Sequence, residues 1–407
     1  MIVQMVYDLD VRVRRKAEAL VAAGYSVDVL SLRDRGGKKS YSLNGVNVRT
    51  ISLGKRRGSL ARYLFEYLAF LIWATAQLSF RMPGRRYAIV DVNTLPDFLI
   101  FAGVLAKRMG AIMVLDMHEI TPEFYMSKYG ISEDSRLIRL LKLIEKISFR
   151  YADQVITITR PIEDLLVDRG LDRSKSTIVM NAADPRRFAE AITTGTDRNV
   201  ARRDKFVMMY HGTLTPIYGL DLAVEAFALV HAEMPGAEFW ILGSGTEEAN
   251  LKGLIAARGL TDKVKLIGTV PGSEIPNWLS QSDVGVLPIR RDVFLEFAFP
   301  NKLPELILMG RSVIISRLKT IRHYFSDDAL AYFEPNDPAD LSRQMLRLYR
   351  NPELRRQLAE RAREENAPIC WEVMKGRYIG LMNRLTGGTN DQGADAEAAT
   401  PATALDR

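Results

Sequence analysis

The sequence predicts an α/β chain of two domains, each a mostly parallel sheet covered by helices. Three observations carry this. Short apolar runs rich in Val, Ile, Leu and Met alternate with helical patterns almost throughout, which is the signature of βαβ units. Those runs are nearly continuous rather than alternating, as expected for strands buried on both faces. The chain has 407 residues, too many for one typical core, and one polar stretch without clear period, "RRFAEAITTGTDRNVARRDK", interrupts the alternation.

In the first half, strands are expected at "IVQMV", "SVDVLSL", "VNVRTIS", "AIVDVN", "AIMVLDMH", "QVITIT" and "STIVMN", with helical patterns over 11–23, 60–80, 95–109, 134–150 and 160–169. In the second half the strands are "FVMMYHG", "EFWILGSG", "VKLIGTV", "DVGVLPI", "RSVIIS" and "LAYFEP", with helices between them. The expected organisation is a first domain over 1–185, a linker over 186–204, a second domain over 205–368, a helix over 369–385 that crosses back to the first domain, and a disordered tail over 386–407. The tail holds few apolar residues. Two Rossmann-like domains then face each other across a cleft, with ligands beyond the carboxyl ends of the strands. The first strand starts abruptly, as if a few residues preceded it.

Composition narrows the function. Cys370 is the only cysteine, so neither an internal disulfide nor a cysteine-held metal is possible, and a reducing compartment is expected. The net charge is +7, but residues 1–185 hold 28 Lys/Arg against 20 Asp/Glu, so the first half carries the excess. An anionic partner for that half follows: lipid head groups, a pyrophosphate lipid or nucleic acid. Nucleic acid is disfavoured because the basic residues lack interleaved aromatics. Residues 60–80 have the length of a membrane span. Arg62, Glu66 and Gln77 interrupt them, and Lys55, Arg56, Arg57, Arg81, Arg85 and Arg86 flank them. Two readings stay open: a buried domain helix with solvated ends, and an interfacial helix docking on anionic lipid.

Candidate chemistry lies at strand ends. "YHGTLTPIYGLDLAVEAF" runs strand, loop with Gly212 and Gly219, then helix, and "ILGSGTEEANL" repeats the theme with Gly243 and Gly245. Glycines there let a ligand approach the backbone, and helix starts favour phosphate. The full G-x-G-x-x-G pattern is absent, which counts against a dinucleotide-dependent oxidoreductase. "MVLDMHEITPEFY" ends a strand with Asp116, His118 and Glu119; spacing alone favours a histidine satisfied by a neighbour. In "FLEFAFPNKLPELILMG", Asn301 is expected to cap a helix starting at Lys302, with Pro304 in its first turn. Lys302 at the helix's positive end attracts a diphosphate, and Glu305 can accept bonds from two vicinal hydroxyls. The plainer reading is an exposed Lys–Glu pair.

Taken in order, these pieces resemble the family-4 retaining glycosyltransferases of the GT-B fold. The likeness runs to about residue 385. "DLDVRVRRKAEALVAAGYSVDVLSL", "YADQVITITRPIEDLLVDRG" and "STIVMNAADPRRF" resemble the acceptor domain. "YHGTLTPIYGLDLAVEAF", "FWILGSG", "VKLIGTV", "IPNWLSQSDVGVLP" and "PNKLPELILMGRSVIIS" resemble the donor domain. The resemblance implies transfer of a sugar from a UDP- or GDP-linked donor to a saccharide or lipid-linked acceptor, with retained configuration and no metal or further cofactor. It implies catalytic roles for His118 beside the donor sugar, for Lys302 on the leaving diphosphate, and for Glu296. It implies donor contacts from Gly212, Thr213, Gly243, Gly268, Thr269, Asn301, Lys302, Leu303 and Glu305, the last on the ribose. The base would meet 266–269.

Three departures stand out. Glu296 is one residue away from the family's first glutamate, whose position is Phe297. Thr213 and Tyr218 replace an arginine and a lysine, leaving phosphate to Lys302, Arg290 or Arg291. "YDLDVRVRRK" replaces a glycine-rich loop, with Arg12 or Arg14 serving there. Arg12, Arg14, Arg56 and Arg57 are expected on the acceptor or membrane side. A branch with P-x-K-x-x-E shares these features. The expected protein is a cytoplasmic enzyme of cell-surface glycan assembly, docked at the inner membrane face through its basic first half and residues 55–86. The alternatives are a non-catalytic binder of a nucleotide-sugar or partner enzyme, and a nucleotide-sugar epimerase.

Overall fold

The computed structural model describes residues 1–53, 60–193 and 205–387. They form two compact units: 1–180 with the chain from 372 on, and 181–371. The strands, in chain order, are β1 (Ile2–Val6), β2 (Asp28–Leu32), β3 (Ser40–Leu43), β4 (Val46–Ile51), β5 (Ile89–Asn93), β6 (Ile112–Asp116), β7 (Gln154–Thr157), β8 (Ser176–Ile178), β9 (Phe206–His211), β10 (Ala237–Leu242), β11 (Val264–Gly268), β12 (Val284–Leu287), β13 (Ser312–Ser316) and β14 (Ala331–Phe333). The helices used below are α1 (Val11–Ala22), α2 (Leu60–Arg85), α3 (Val104–Arg108), α4 (Thr121–Tyr129), α5 (Arg136–Tyr151), α6 (Leu220–Val230), α7 (Lys302–Leu308), α8 (Lys319–Tyr324) and α9 (Trp371–Thr386).

The second unit holds a six-stranded sheet in the order β11-β10-β9-β12-β13-β14, every pairing parallel. Counted within the unit this is 3-2-1-4-5-6, a doubly wound sheet whose order reverses between β9 and β12. Its central strands are largely apolar because helices cover both faces: every residue of β10, β12 and β13 is buried. The first unit repeats the plan with eight strands, β3-β4-β2-β1-β5-β6-β7-β8, reversing between β1 and β5. Only the β3–β4 pairing is antiparallel. β3, "SYSL", was not expected as a strand. It alternates in exposure at the sheet edge and lacks the continuous apolar signal of its neighbours.

The last helix belongs to the first unit from Glu372 on. Tyr378 lies fully buried there and donates its hydroxyl to Asp91 on β5 at 2.6 Å. The helix expected over 95–109 is instead a 3₁₀ segment, Asp97–Gly103, followed by the short α3. α2 buries Glu66, Phe70, Ala74, Leu78 and Met82, spaced by four, which sets one face on the core. Burial of a side chain the size of Phe70 contributes about 2 kcal/mol. The opposite stripe, Leu64, Leu68, Ile72 and Phe80, is exposed. α2 therefore is not a fully buried helix. Among the described residues no helix is long and apolar enough to cross a membrane.

Arg56, Arg57, most of the expected linker (194–204) and most of the expected tail (388–407) lie outside the described residues.

Candidate active site

In the second unit three turns stack at the carboxyl ends of adjacent strands. The Gly212 N–H after β9 donates to the Leu242 carbonyl at 2.9 Å, and the Gly243 N–H after β10 donates to the Gly268 carbonyl after β11 at 2.8 Å. The Leu214 N–H donates to the Ser244 carbonyl at 3.0 Å. Gly212 and Gly243 adopt φ of +130° and +132°, a region disfavoured for residues with a side chain. At Gly243 space forbids one as well. A Cβ on Gly243 would stand 1.8 Å from the Gly212 carbonyl oxygen, and one on Gly212 would stand 2.2 Å from Lys302 Cε. Thr213 and Thr269 are exposed at the rim, and the Thr269 hydroxyl donates to Ser244 Oγ at 2.8 Å.

Lys302 thus lies directly against Gly212. Its ammonium sits 4.1 Å from the ring centre of Tyr218 and 5.3 Å from that of Tyr210. It makes no ion pair among the described residues. Burial lowers its pKa to about 8, against the opposing pull of Glu305. Glu305, one turn on, accepts a hydrogen bond through Oε2 from His211 Nε2 at 2.8 Å, or shares a proton with it, and Arg187 Nη1 is 3.8 Å from Oε1. Arg187 Nη2 also donates to the Gly272 carbonyl at 3.3 Å. The site therefore combines a cation without a carboxylate partner, a carboxylate held by a histidine and an arginine, and a backbone cradle that no side chain can fill.

Several expected roles change. Asn301 has helical dihedrals and makes no side-chain capping bond, so it does not cap α7. Leu303 is fully buried and its N–H donates to the Pro300 carbonyl. Both Glu296 oxygens are taken: Oε1 pairs with Arg291 Nε at 2.6 Å and Oε2 accepts from the Lys319 N–H at 2.7 Å, capping α8 from outside. That ties Glu296 to bracing this loop against the start of α8. Arg290 is held by Asp221 at 2.5 Å and by the Pro216 carbonyl, and Arg291 by Glu296 and the Arg317 carbonyl. Of the three cations expected to meet phosphate, Lys302 alone remains without an ion pair among the described residues. His211, Tyr210 and Arg187 were missed. The signal in reach was the position of Tyr210 and His211 at the end of a strand just before a loop glycine.

In the first unit, His118 follows β6 and is buried. Its Nε2 is 2.9 Å from Asn93 Oδ1 at the end of β5, and its N–H donates to Thr94 Oγ1 at 3.1 Å. Burial, reinforced by Arg12, Lys16 and Arg15, keeps the imidazole pKa well below its usual range, so the ring is neutral. Arg12 does not point to an open anion site: its guanidinium binds both oxygens of Asp10, which itself caps α1. Arg14 pairs with Glu18 at 3.2 Å and takes no part in this cluster. Glu119 is half-buried, and burial raises its carboxyl pKa. Among the described residues no group of three or more His, Cys, Asp and Glu is arranged to hold a metal ion.

Known proteins match along most of the chain. Residues 9–182 match the model of the glycosyl transferase 4-like domain, and residues 194–365 that of glycosyl transferases group 1. The amylovoran biosynthesis glycosyltransferase AmsK of Erwinia amylovora is 29% identical over 282 residues, 64% of each chain. Matches to the first three curated relatives span 64%, 19% and 41% of those proteins' own lengths. Sucrose-phosphate synthase of Thermosynechococcus elongatus superposes with a TM-score of 0.74 over 92% of both chains at 20% identity. HepE of Anabaena, solved in complex with UDP-glucose, superposes with a TM-score of 0.69 over 94% of this chain and 98% of its own at 14% identity. The fold is therefore the two-domain α/β GT-B fold.

Proposed function

We propose that this chain, built of a glycosyl transferase 4-like domain and a group 1 glycosyl transferase domain, moves a sugar from a UDP- or GDP-linked donor to a saccharide or lipid-linked acceptor in cell-surface glycan assembly, with retained configuration. The observation that carries this reading is Lys302: a partly desolvated ammonium without an ion pair among the described residues, pressed on Gly212 where backbone and not side chain lines the surface. Such a group is stabilised by a bound diphosphate. Glu305, oriented by His211, takes the ribose hydroxyls, and 266–269 with Gly243 receive the base end. His118 meets the donor sugar. The acceptor O–H attacks the anomeric carbon as the bond to the leaving phosphate breaks on the same face, and the proton passes to that phosphate. Lys302 offsets the charge that develops there, which is why the reaction is proposed to need no metal. The test is a thermal-shift screen of UDP-, GDP- and ADP-sugars, followed by NMR of the product anomer. Stabilisation by one nucleotide and a retained anomer are expected. No stabilisation by any of them, or an inverted product, refutes the reading.

We further propose that the first domain docks on anionic lipid, and does so with more than α2. The outward face of α5 mixes Leu140, Leu143 and Ile147 with Arg136, Arg139 and Arg150. The exposed α2 stripe adds Leu64, Phe65, Leu68, Ile72 and Phe80. Apolar side chains among arginines suit the head-group region of an anionic bilayer. Co-sedimentation with phosphatidylglycerol vesicles at low salt, lost in the double variant Leu140→Gln/Leu143→Gln, is the expected result. No co-sedimentation of the wild type would sink the proposal.

A further inference from the structure

Around His118 the first unit closes a ring of buried polar side chains drawn from α1, β5, the end of β6 and α9. Lys16 donates to Asp116 Oδ2 at 2.5 Å. That oxygen is 3.5 Å from His118 Nε2, which is 2.9 Å from Asn93 Oδ1. Asn93 Nδ2 donates to Asp91 Oδ1 at 3.3 Å, and the Tyr378 hydroxyl donates to Asp91 Oδ2 at 2.6 Å. Lys16 Nζ stands 5.4 Å over the Tyr378 ring and completes the circuit. No member is more than 3% exposed.

The donor and acceptor inventory leaves one pattern of protons. An ionised Asp91 only accepts, so Tyr378 and Asn93 both donate to it. The Asn93 amide nitrogen also faces the Ile2 carbonyl at 3.5 Å, a second acceptor. Its carbonyl oxygen is thereby turned to His118. A carbonyl only accepts, so His118 Nε2 carries the hydrogen. Nδ1 then carries the lone pair, and it has no partner among the described residues. Buried nitrogens are rarely left so without a reason.

We propose that Tyr378 and Asp91 are positioning residues, acting through Asn93 to hold His118 as its Nε2–H tautomer with Nδ1 kept as an acceptor for a hydroxyl of the bound sugar. The sugar-facing half of this rests on the function proposed above; the relay does not. The last helix of the chain thereby takes part in the site, since without Tyr378 the Asp91–Asn93 pair loses its anchor.

The test uses the full chain labelled with ¹⁵N-histidine. It has four histidines, and His118→Gln assigns the signal. A single Nε2–H tautomer is expected in the wild type. Tyr378→Phe, which deletes one hydroxyl, should give mixed tautomers and lower kcat for UDP release from UDP-glucose about tenfold, the scale of one net hydrogen bond, with donor KM unchanged. An Nδ1–H tautomer in the wild type overturns the proposal whatever the activity. So does a Tyr378→Phe protein with wild-type spectrum and kcat. If Tyr378→Phe does not fold, Asn93→Ala replaces it; it removes the acceptor that faces Nε2 and should give mixed tautomers, and an unchanged spectrum counts against the relay. Full transfer by His118→Gln overturns the sugar-facing role, while the spectra alone decide the relay.

Discussion

Replacing Lys302 by Met keeps the length of the side chain and deletes its charge. Burial moves the Lys302 pKa from 10.5 to about 8. At 1.36 kcal/mol per unit, charging the group in the folded protein costs on the order of 3 kcal/mol. The direction matters. The folded pKa lies below the unfolded one, so the cost is present in full below pH 8 and fades as pH rises from 8 to 10.5. A bound diphosphate reverses it, because a charge-assisted hydrogen bond contributes about 1.5 to 3 kcal/mol. Two effects of opposite sign follow for Lys302→Met at pH 7. Affinity for the nucleoside diphosphate measured by calorimetry should fall by about 10- to 100-fold. The melting temperature without ligand should be at least that of the wild type, since an uncompensated charge has gone. A third signature is pH. With a free-state pKa near 8, only about a tenth of Lys302 is protonated at pH 9, so wild-type binding should weaken about tenfold between pH 7 and 9, while the variant's stays flat. Binding by Lys302→Met within twofold of wild type, or parallel pH profiles for the two proteins, would refute the assignment.

Glu305→Gln removes the carboxylate that His211 and Arg187 hold, and should weaken nucleotide binding at least tenfold by calorimetry. Glu296→Gln should leave nucleotide affinity intact and cost about 1 kcal/mol of stability in urea titration, because it loosens a helix cap and the Arg291 pair. Loss of turnover with intact folding and binding would restore a catalytic role to Glu296. Gly243→Ala drives a Cβ into the Gly212 carbonyl, and a thermal-shift assay should show both a lowered melting temperature and no stabilisation by nucleotide.

Much of the fold was legible because parallel strands covered on both faces are nearly continuous apolar runs, and β9, β10, β12 and β13 carry that signal plainly. The edge strand β3 carries none of it. The segment 97–108 has helical spacing but mostly 3₁₀ geometry, a distinction that local spacing does not encode. Of the site, the glycines and the Lys302–Glu305 spacing could be read directly, since a turn needing positive φ requires a particular residue at a particular place. Asn301 failed as a cap because cap preference is a local tendency, and here Asn301 is itself helical. The partners of Glu296 could not be read, because Arg291 and the Lys319 N–H come from both sides of α7 and meet only on folding.

By itself the sequence determined most of the strands, where the chain turns on glycine, and which short stretch joins a lysine to a glutamate one helical turn away. These depend on neighbours a few residues apart. Only the tertiary structure decided which charges are spent on one another. Arg12, Arg290 and Arg291 looked as free as Lys302, yet each is bound to a carboxylate. Lys16, Asp91, Asp116 and Tyr378 looked unrelated, with Asp91 and Tyr378 separated by 287 positions, yet they share one buried ring. The reason is that ion pairs and hydrogen bonds act over a few ångströms, and the winding of the sheets, not the order of the residues, sets those distances.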